Sequence, residues 1–141
     1  MRIMGLDFGD KTVGVAISDE LLITAQPVTV VERERSNKLR KTYQKLEELI
    51  KEYEVEKIVI GKPLNMNGTE GARVELTREF SAELSRRTGL EIIEVDERLT
   101  TVEADRILEE TGVASSGRKQ HIDKMAAAII LQTYLDLNKN D

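Results

Sequence analysis

The sequence predicts an α/β fold: a five-stranded mixed sheet flanked by helices, in which three antiparallel strands meander before parallel strands take over. Three observations predict it. "MRIMGLDFGDKTVGVAIS" opens the chain with two apolar, strand-like runs joined at a Gly-Asp turn. "LRKTYQKLEELIKEY" repeats Leu39, Tyr43, Leu46, Ile50 and Tyr53 at alternating steps of four and three, which makes one stripe of a helix. "KIVIG" is short, β-branched and apolar throughout, the pattern of a strand covered on both faces. Strands first, then helices alternating with strands, give a sheet with helices on its faces.

Taken in order, residues 2 to 8 and 12 to 19 form the first two strands, joined at "GDKT". "AQPVTVVE" is the third, with Pro27 near its start, where a missing N–H is tolerated. The striped helix starts near Ser36 and must face the sheet. After "KIVIG", the loop "KPLNMNGTEGAR" turns at Asn67-Gly68, and Thr69 caps a helix carrying Leu76, Phe80 and Leu84 inward. "LEIIEV" is the fifth strand, ended by Asp96. Thr100 with Glu103 is a capping-box pattern for a helix through about Glu110, with Gly112 just beyond it. A last helix, from about His121 to Leu137, buries Ile122, Ala126, Ile129, Ile130 and Leu137. No repeat or linker interrupts the chain, so residues 1–141 are expected to form one domain.

Composition narrows the chemistry. With no Cys among 141 residues, disulfides, zinc-thiolate sites and cysteine nucleophiles are excluded. Hydrophobic content of 40% and charged content of 33% describe a globular protein. No run approaches membrane length, and "MRIMGLDFG" enters a strand pattern directly, so a cytoplasmic protein with no membrane partner is expected. The net charge of -5 argues against coating nucleic acid over the whole surface. Charge is segregated, however. Arg33, Arg35, Lys38, Arg40, Lys41 and Lys45 face a single Glu34 in one run, while "DERLTTVEADRILEE" is acidic. The basic run is either a solvated helix face or a guide for a nucleic-acid backbone.

Asp7 is the residue that asks for an explanation. Alternation puts Ile3, Gly5 and Asp7 on one side of the first strand and Met4, Leu6 and Phe8 on the other. An ionised carboxylate buried among such neighbours costs several kcal/mol unless it is compensated. Either N–H groups of the "GDKT" turn compensate it, or other acids converge with it around a cation. Glu97 and Asp96 stand at the C-terminal end of the fifth strand, the edge where open α/β sheets place ligands, and would meet Asp7 if strands one and five are neighbours. Asp123 lies in the first turn of the last helix as read here, where the positive dipole end tolerates it, and Ala126 and Ala127 would let that helix lie close to the sheet. An oxygen-only set of this kind suits Mg²⁺ or Mn²⁺, two ions of which can activate water and stabilise the leaving oxygen in phosphodiester hydrolysis. The expectation is a metal-dependent nuclease with Asp7 bridging and Glu97 and Asp123 ligating one ion each.

Around these acids, Arg118, Lys119 and Lys124 flank Asp123 as a phosphate clamp. The glycine-rich "GKPLNMNGTEGAR" could hold a phosphate at a helix N-terminus, although it matches no Walker or dinucleotide pattern. Lys11, Asn65, Asn67 and Arg98 complete the candidate substrate-binding set. His121, the only histidine, is left out of the chemistry.

Together, "GLDFGDKTVGVAISD", "IVIGKPLNMNGTEGAR", "VDERLTT" and "IDKMAAAIILQTYL" resemble the YqgF (RuvX-type) family, bacterial proteins similar to Holliday junction resolvases and linked to pre-16S ribosomal RNA processing. The resemblance runs through four blocks in the family order. It implies an RNase H-like fold, a divalent metal, cytoplasmic location, and a role in maturing the 5′ end of small-subunit ribosomal RNA on ribosomal precursor particles. It also puts Asp7, Glu97 and Asp123 at the family's acidic positions. Junction resolvases carry an acid at the end of the fourth strand and a pair of aspartates in the last helix. Here those places read "IVIGKP" and Asp123 alone, so the second acid comes from "DER" and a DNA junction is the alternative substrate. A module of another class also fits the opening hairpin: "DFGDKTVGVAIS" resembles the phosphate hairpin of actin-like ATPases, which would make the chain a non-catalytic nucleotide or nucleic-acid binder.

Overall fold

A computed structural model describes residues 1–33, 39–65, 67–97 and 115–138, with side chains in the last segment described from Met125 onward. The strands are β1 (Arg2–Phe8), β2 (Thr12–Ser18), β3 (Ala25–Glu32), β4 (Val55–Lys62) and β5 (Ile92–Asp96). The helices are α1 (Arg40–Tyr53), α2 (Ala72–Thr88) and α3 (Ser115–Leu137). The five strands form one sheet in the order β3-β2-β1-β4-β5. β1 pairs antiparallel with β2, and β2 with β3, whereas β4 runs parallel to both β1 and β5. The expected mixed sheet is present, with one difference that matters for the site. β4 lies between β1 and β5, so the first and fifth strands are not neighbours.

Alternation along β1 sorts the core into two layers. Met4, Leu6 and Phe8 pack with Val13, Val15, Ile58 and Ile60 under α1 and α2, which contribute Tyr43, Leu46, Phe80 and Leu84. Phe80 stacks on Phe8 at 4.2 Å between ring centroids and on Tyr43 at 5.4 Å, fixing both helices to the end of β1. On the other face Ile3, Ala16 and Val59 pack against Ala127, Ala128, Ile130, Leu131 and Leu135 of α3. That helix lies close because Gly5 has no side chain: a Cβ there would stand 2.7 Å from Leu131 Cβ and 2.9 Å from the Ala127 carbonyl oxygen. Ala127 thus does what the sequence suggested, with Gly5 as its counterpart, while Ala126 is buried but is not among the atoms nearest Gly5.

Edge strand β3 accommodates Pro27 at a register shift, where Val15 faces Thr29 and Ala16 faces Pro27. Three local expectations are corrected. Thr69 does not cap α2, whose N-cap is Gly71 with no side-chain bond; Thr69 instead bonds Asn65 and Asn67 within the preceding loop. The buried row of α2 is Val74, Thr77, Phe80 and Leu84, and Leu76 falls at the margin of that row, turned outward and 53% exposed. Leu137, in the last turn of α3, is exposed. The start of α1 near Ser36, and the capping box at Thr100 with its helix to Glu110 and Gly112, lie outside the described residues.

Candidate active site

At the C-terminal edge of the sheet, Asp7 follows Gly5 by two residues and therefore shares its face, the one covered by α3. Glu97 stands directly after β5, two residues beyond Val95, which packs into the same layer. One strand separates them, and its residue at this level is Gly61, paired with Val95. A Cβ at Gly61 would sit 2.5 Å from Glu97 Cγ, 2.5 Å from its Oε1 and 2.7 Å from its Cδ. The Glu97 side chain therefore lies across the bare backbone of β4 and reaches Asp7, to which it is hydrogen-bonded. A side chain of any size at 61 would block that path.

Two carboxyl groups in hydrogen-bond contact need a proton between them, and the electrostatics follow. Burial first, then the hydrogen bond and the charge of Asp7, push the Glu97 carboxyl up to about 9; Asp96 adds to the shift, and the Arg73 guanidinium opposes it. Removing that proton leaves two adjacent anions. The chemical need of the pair is thus a positive charge with oxygen affinity, which a hard divalent cation supplies. Asp96 was the other candidate second acid. It pairs in register with Lys62 and contributes to Glu97 through its charge, but Glu97 is the one that contacts Asp7.

Other expected site residues divide into several groups. Asp123, Arg118, Lys119 and Lys124 fall in α3, but their side chains lie outside the described residues, as does Arg98 entirely. Because α3 starts at Ser115, Asp123 is in its third turn and not its first, so the helix dipole gives it no help. Lys11 is exposed at the β1–β2 hairpin, where its carbonyl accepts the Arg33 N–H at 2.9 Å. Asn65 and Asn67 build their own loop: Asn65 Nδ2 donates to Thr69 Oγ1 at 3.0 Å, and Asn67 Oδ1 accepts the Thr69 N–H at 3.1 Å. Glu70 anchors that loop to Lys62 and Arg78. Among the described residues, no group of three or more acidic or histidine side chains is spaced to hold a metal ion.

Of the basic run, Arg33 is no solvated cation. It is half-buried, its guanidinium lies 4.6 Å from the Phe8 ring centroid, and Nη1 donates to the Gly9 carbonyl. Arg40, Lys41 and Lys45 are exposed, and Arg35 and Lys38 lie outside the described residues. Sequence reasoning missed Gly61 and Arg73. A glycine ending an otherwise β-branched strand was the available signal for the first, since such a residue marks a close approach.

The model of a family described as "RuvX: Holliday junction resolvase" matches residues 1–137. A protein of Agathobacter rectalis named "Putative pre-16S rRNA nuclease" is 60% identical over 140 residues, covering 99% of this chain and 98% of its own. One of the same name from Lachnospira eligens is 54% identical over 136 residues, covering 96% and 97%. Among solved structures, Thermus thermophilus RuvC in complex with a Holliday junction substrate superposes with a TM-score of 0.64 at 14% identity, covering 98% of this chain and 96% of that one. That likeness shows an RNase H-like fold. Among the described residues, no helix is long and apolar enough to cross a membrane. With its family model matched over nearly the whole length and relatives more than half identical, the chain belongs to the RuvX family.

Proposed function

We propose that this chain is a divalent-metal-dependent nuclease that hydrolyses phosphodiester bonds in precursor 16S ribosomal RNA, at its 5′ end and in the cytoplasm. The single observation that carries the reading is the Glu97 carboxyl lying over Gly61 against Asp7. Such a pair is costly in the free protein and is relieved by an oxygen-seeking cation. The names of the relatives support ribosomal RNA as substrate.

Asp7, Glu97 and Asp123 would hold Mg²⁺ or Mn²⁺. Packing supports Asp123 as the third ligand. Leu135 shares a cluster with Ile3, and Leu131 and Ala127 both meet Gly5, so α3 runs against the direction of β1. Four residues of helix rise about 6 Å, and two residues of strand about 6.8 Å. One step from Ala127 toward the helix N-terminus reaches position 123 as one step along β1 from Gly5 reaches Asp7. A bound cation of this class supplies an activated water and stabilises charge developing on the leaving oxygen. The chain's own part is to give up the proton shared by Asp7 and Glu97, to bring together two carboxylates whose backbones stand on either side of β4, and to keep Glu97 oriented across the bare backbone at Gly61. No side chain need act as general base.

The test compares precursor ribosomal RNA, single-stranded RNA and a four-way DNA junction, each with and without Mn²⁺. The expected result is metal-dependent cleavage of the precursor RNA that Asp7→Asn and Glu97→Gln abolish. An Asp7→Asn protein with intact fold that cleaves at the wild-type rate would overturn it. Preferential cleavage of the four-way junction would instead favour the substrate in the family's description.

A further inference from the structure

We propose that the groove between the β1–β2 hairpin, the end of β3 and the first turn of α2 is a second nucleotide subsite, in which Arg73 takes a backbone phosphate and Leu76, with the Arg33 guanidinium that covers Phe8, takes the attached nucleoside. The proposal rests on the nuclease reading above and adds a path for the substrate strand. Phe8, Gly9, Asp10, Arg33, Arg73 and Leu76 line a cavity of about 400 Å³, within the usual range for small-ligand sites.

Three features of this groove suit it to an anionic ligand with a planar group attached. Arg73 is exposed in the first turn of α2, where the helix dipole disfavours a cation; its carbonyl accepts the Thr77 hydroxyl, but among the described residues its guanidinium makes no hydrogen bond or salt bridge. Leu76 is turned outward over the cavity while the buried row of α2 faces the core. Arg33 is held over Phe8 and tied to the Gly9 carbonyl, which makes its guanidinium a positioned group rather than a mobile charge. Two arginines against the one carboxylate of Asp10 leave the lining net positive, as an anionic ligand requires. An apolar wall, a guanidinium plane and a cation together match the recognition of an unpaired nucleotide.

Position relative to the acids gives the path. Asp7 and Phe8 are consecutive, and alternation turns them to opposite faces of the same sheet edge. A strand with its reacting phosphate at Asp7 reaches the groove by crossing the edge at Gly9. Arg73 is near enough for its charge to act on Glu97, which places the groove beside the carboxyl pair.

The test is fluorescence anisotropy with a series of progressively shorter single-stranded RNAs, for wild type, Arg73→Gln and Arg73→Lys, at several salt concentrations. On the longest RNA, Arg73→Gln should bind about tenfold more weakly, with a log-log salt slope smaller by about 0.7, and Arg73→Lys should recover part of both. Wild-type affinity should drop at one RNA length, and Arg73→Gln should show no drop there. Identical length dependence and salt slope in the wild type and Arg73→Gln would overturn the subsite. The nuclease reading stands apart from this result. Cleavage by wild type without an Arg73 effect would remove the groove alone, whereas Arg73-dependent binding without cleavage under any metal would remove the nuclease reading and keep the groove.

Discussion

Replacing Gly61 by Ala separates the site from the fold. The three atoms nearest to the added Cβ all belong to the Glu97 side chain, at 2.5, 2.5 and 2.7 Å. Since non-bonded carbons settle at about 3.5–4.0 Å, Glu97 must retreat by about 1 Å or more. It can do so by rotating its own side chain, because no backbone atom is among those three contacts. Gly61 does not have a positive φ, so Ala fits the strand, and the loss of unfolded-chain freedom offsets part of any strain by about 0.4–1 kcal/mol. Stability should therefore stay within about 1 kcal/mol of wild type. Activity should not. A displacement of about 1 Å in a catalytic group costs about 100-fold, and cleavage in Mg²⁺ or Mn²⁺ should fall by that order. Thermal unfolding and single-turnover cleavage on the same preparation check both halves. A folded Gly61→Ala protein that cleaves at the wild-type rate would refute the claim that Glu97 works from across β4.

Gly5→Ala should behave in the opposite way: its Cβ meets Leu131 Cβ at 2.7 Å and the Ala127 carbonyl at 2.9 Å, part of a helix that cannot rotate aside, so thermal unfolding should show a loss of about 1–3 kcal/mol. Metal-free stability should depend on pH through Glu97, whose folded value lies above the ordinary 4.5. The stabilisation is complete below that ordinary value and is lost as pH rises toward about 9, so urea denaturation should show a decline on the order of a few kcal/mol across this window, which Glu97→Gln removes. Reversing Lys38, Arg40 and Lys41 to Glu should weaken RNA binding and flatten its salt dependence while leaving metal affinity unchanged; an unchanged salt slope would make the run a solvated face.

Much of this architecture was legible because it is local. Apolar alternation fixed the first two strands to within a residue, "AQPVTVVE" matched β3 from Ala25 to Glu32, and the stripe from Leu39 to Tyr53 turned toward the core. Alternation alone put Asp7 on the face opposite Phe8. What stayed hidden depends on order and rotation. Nothing within "KIVIG" says that β4 is inserted between β1 and β5, so the meaning of Gly61 came only with the sheet. Leu76 shows how a residue at the margin of a helical stripe can turn to solvent while Phe80 and Leu84 stay buried, and Asp123 shows how an earlier start removes a dipole argument. Arg33 reads as one of six basic residues in its run, whereas a neighbouring phenylalanine from β1 decides its environment.

Calorimetric titration of the metal-free protein with Mn²⁺, repeated in buffers of different ionisation enthalpy near neutral pH, counts the protons released when the ion binds. The account predicts release approaching one proton per site, lost in Glu97→Gln, with binding itself lost in Asp7→Asn. Tight binding that releases no proton, or that survives removal of the Asp7 charge, would contradict it.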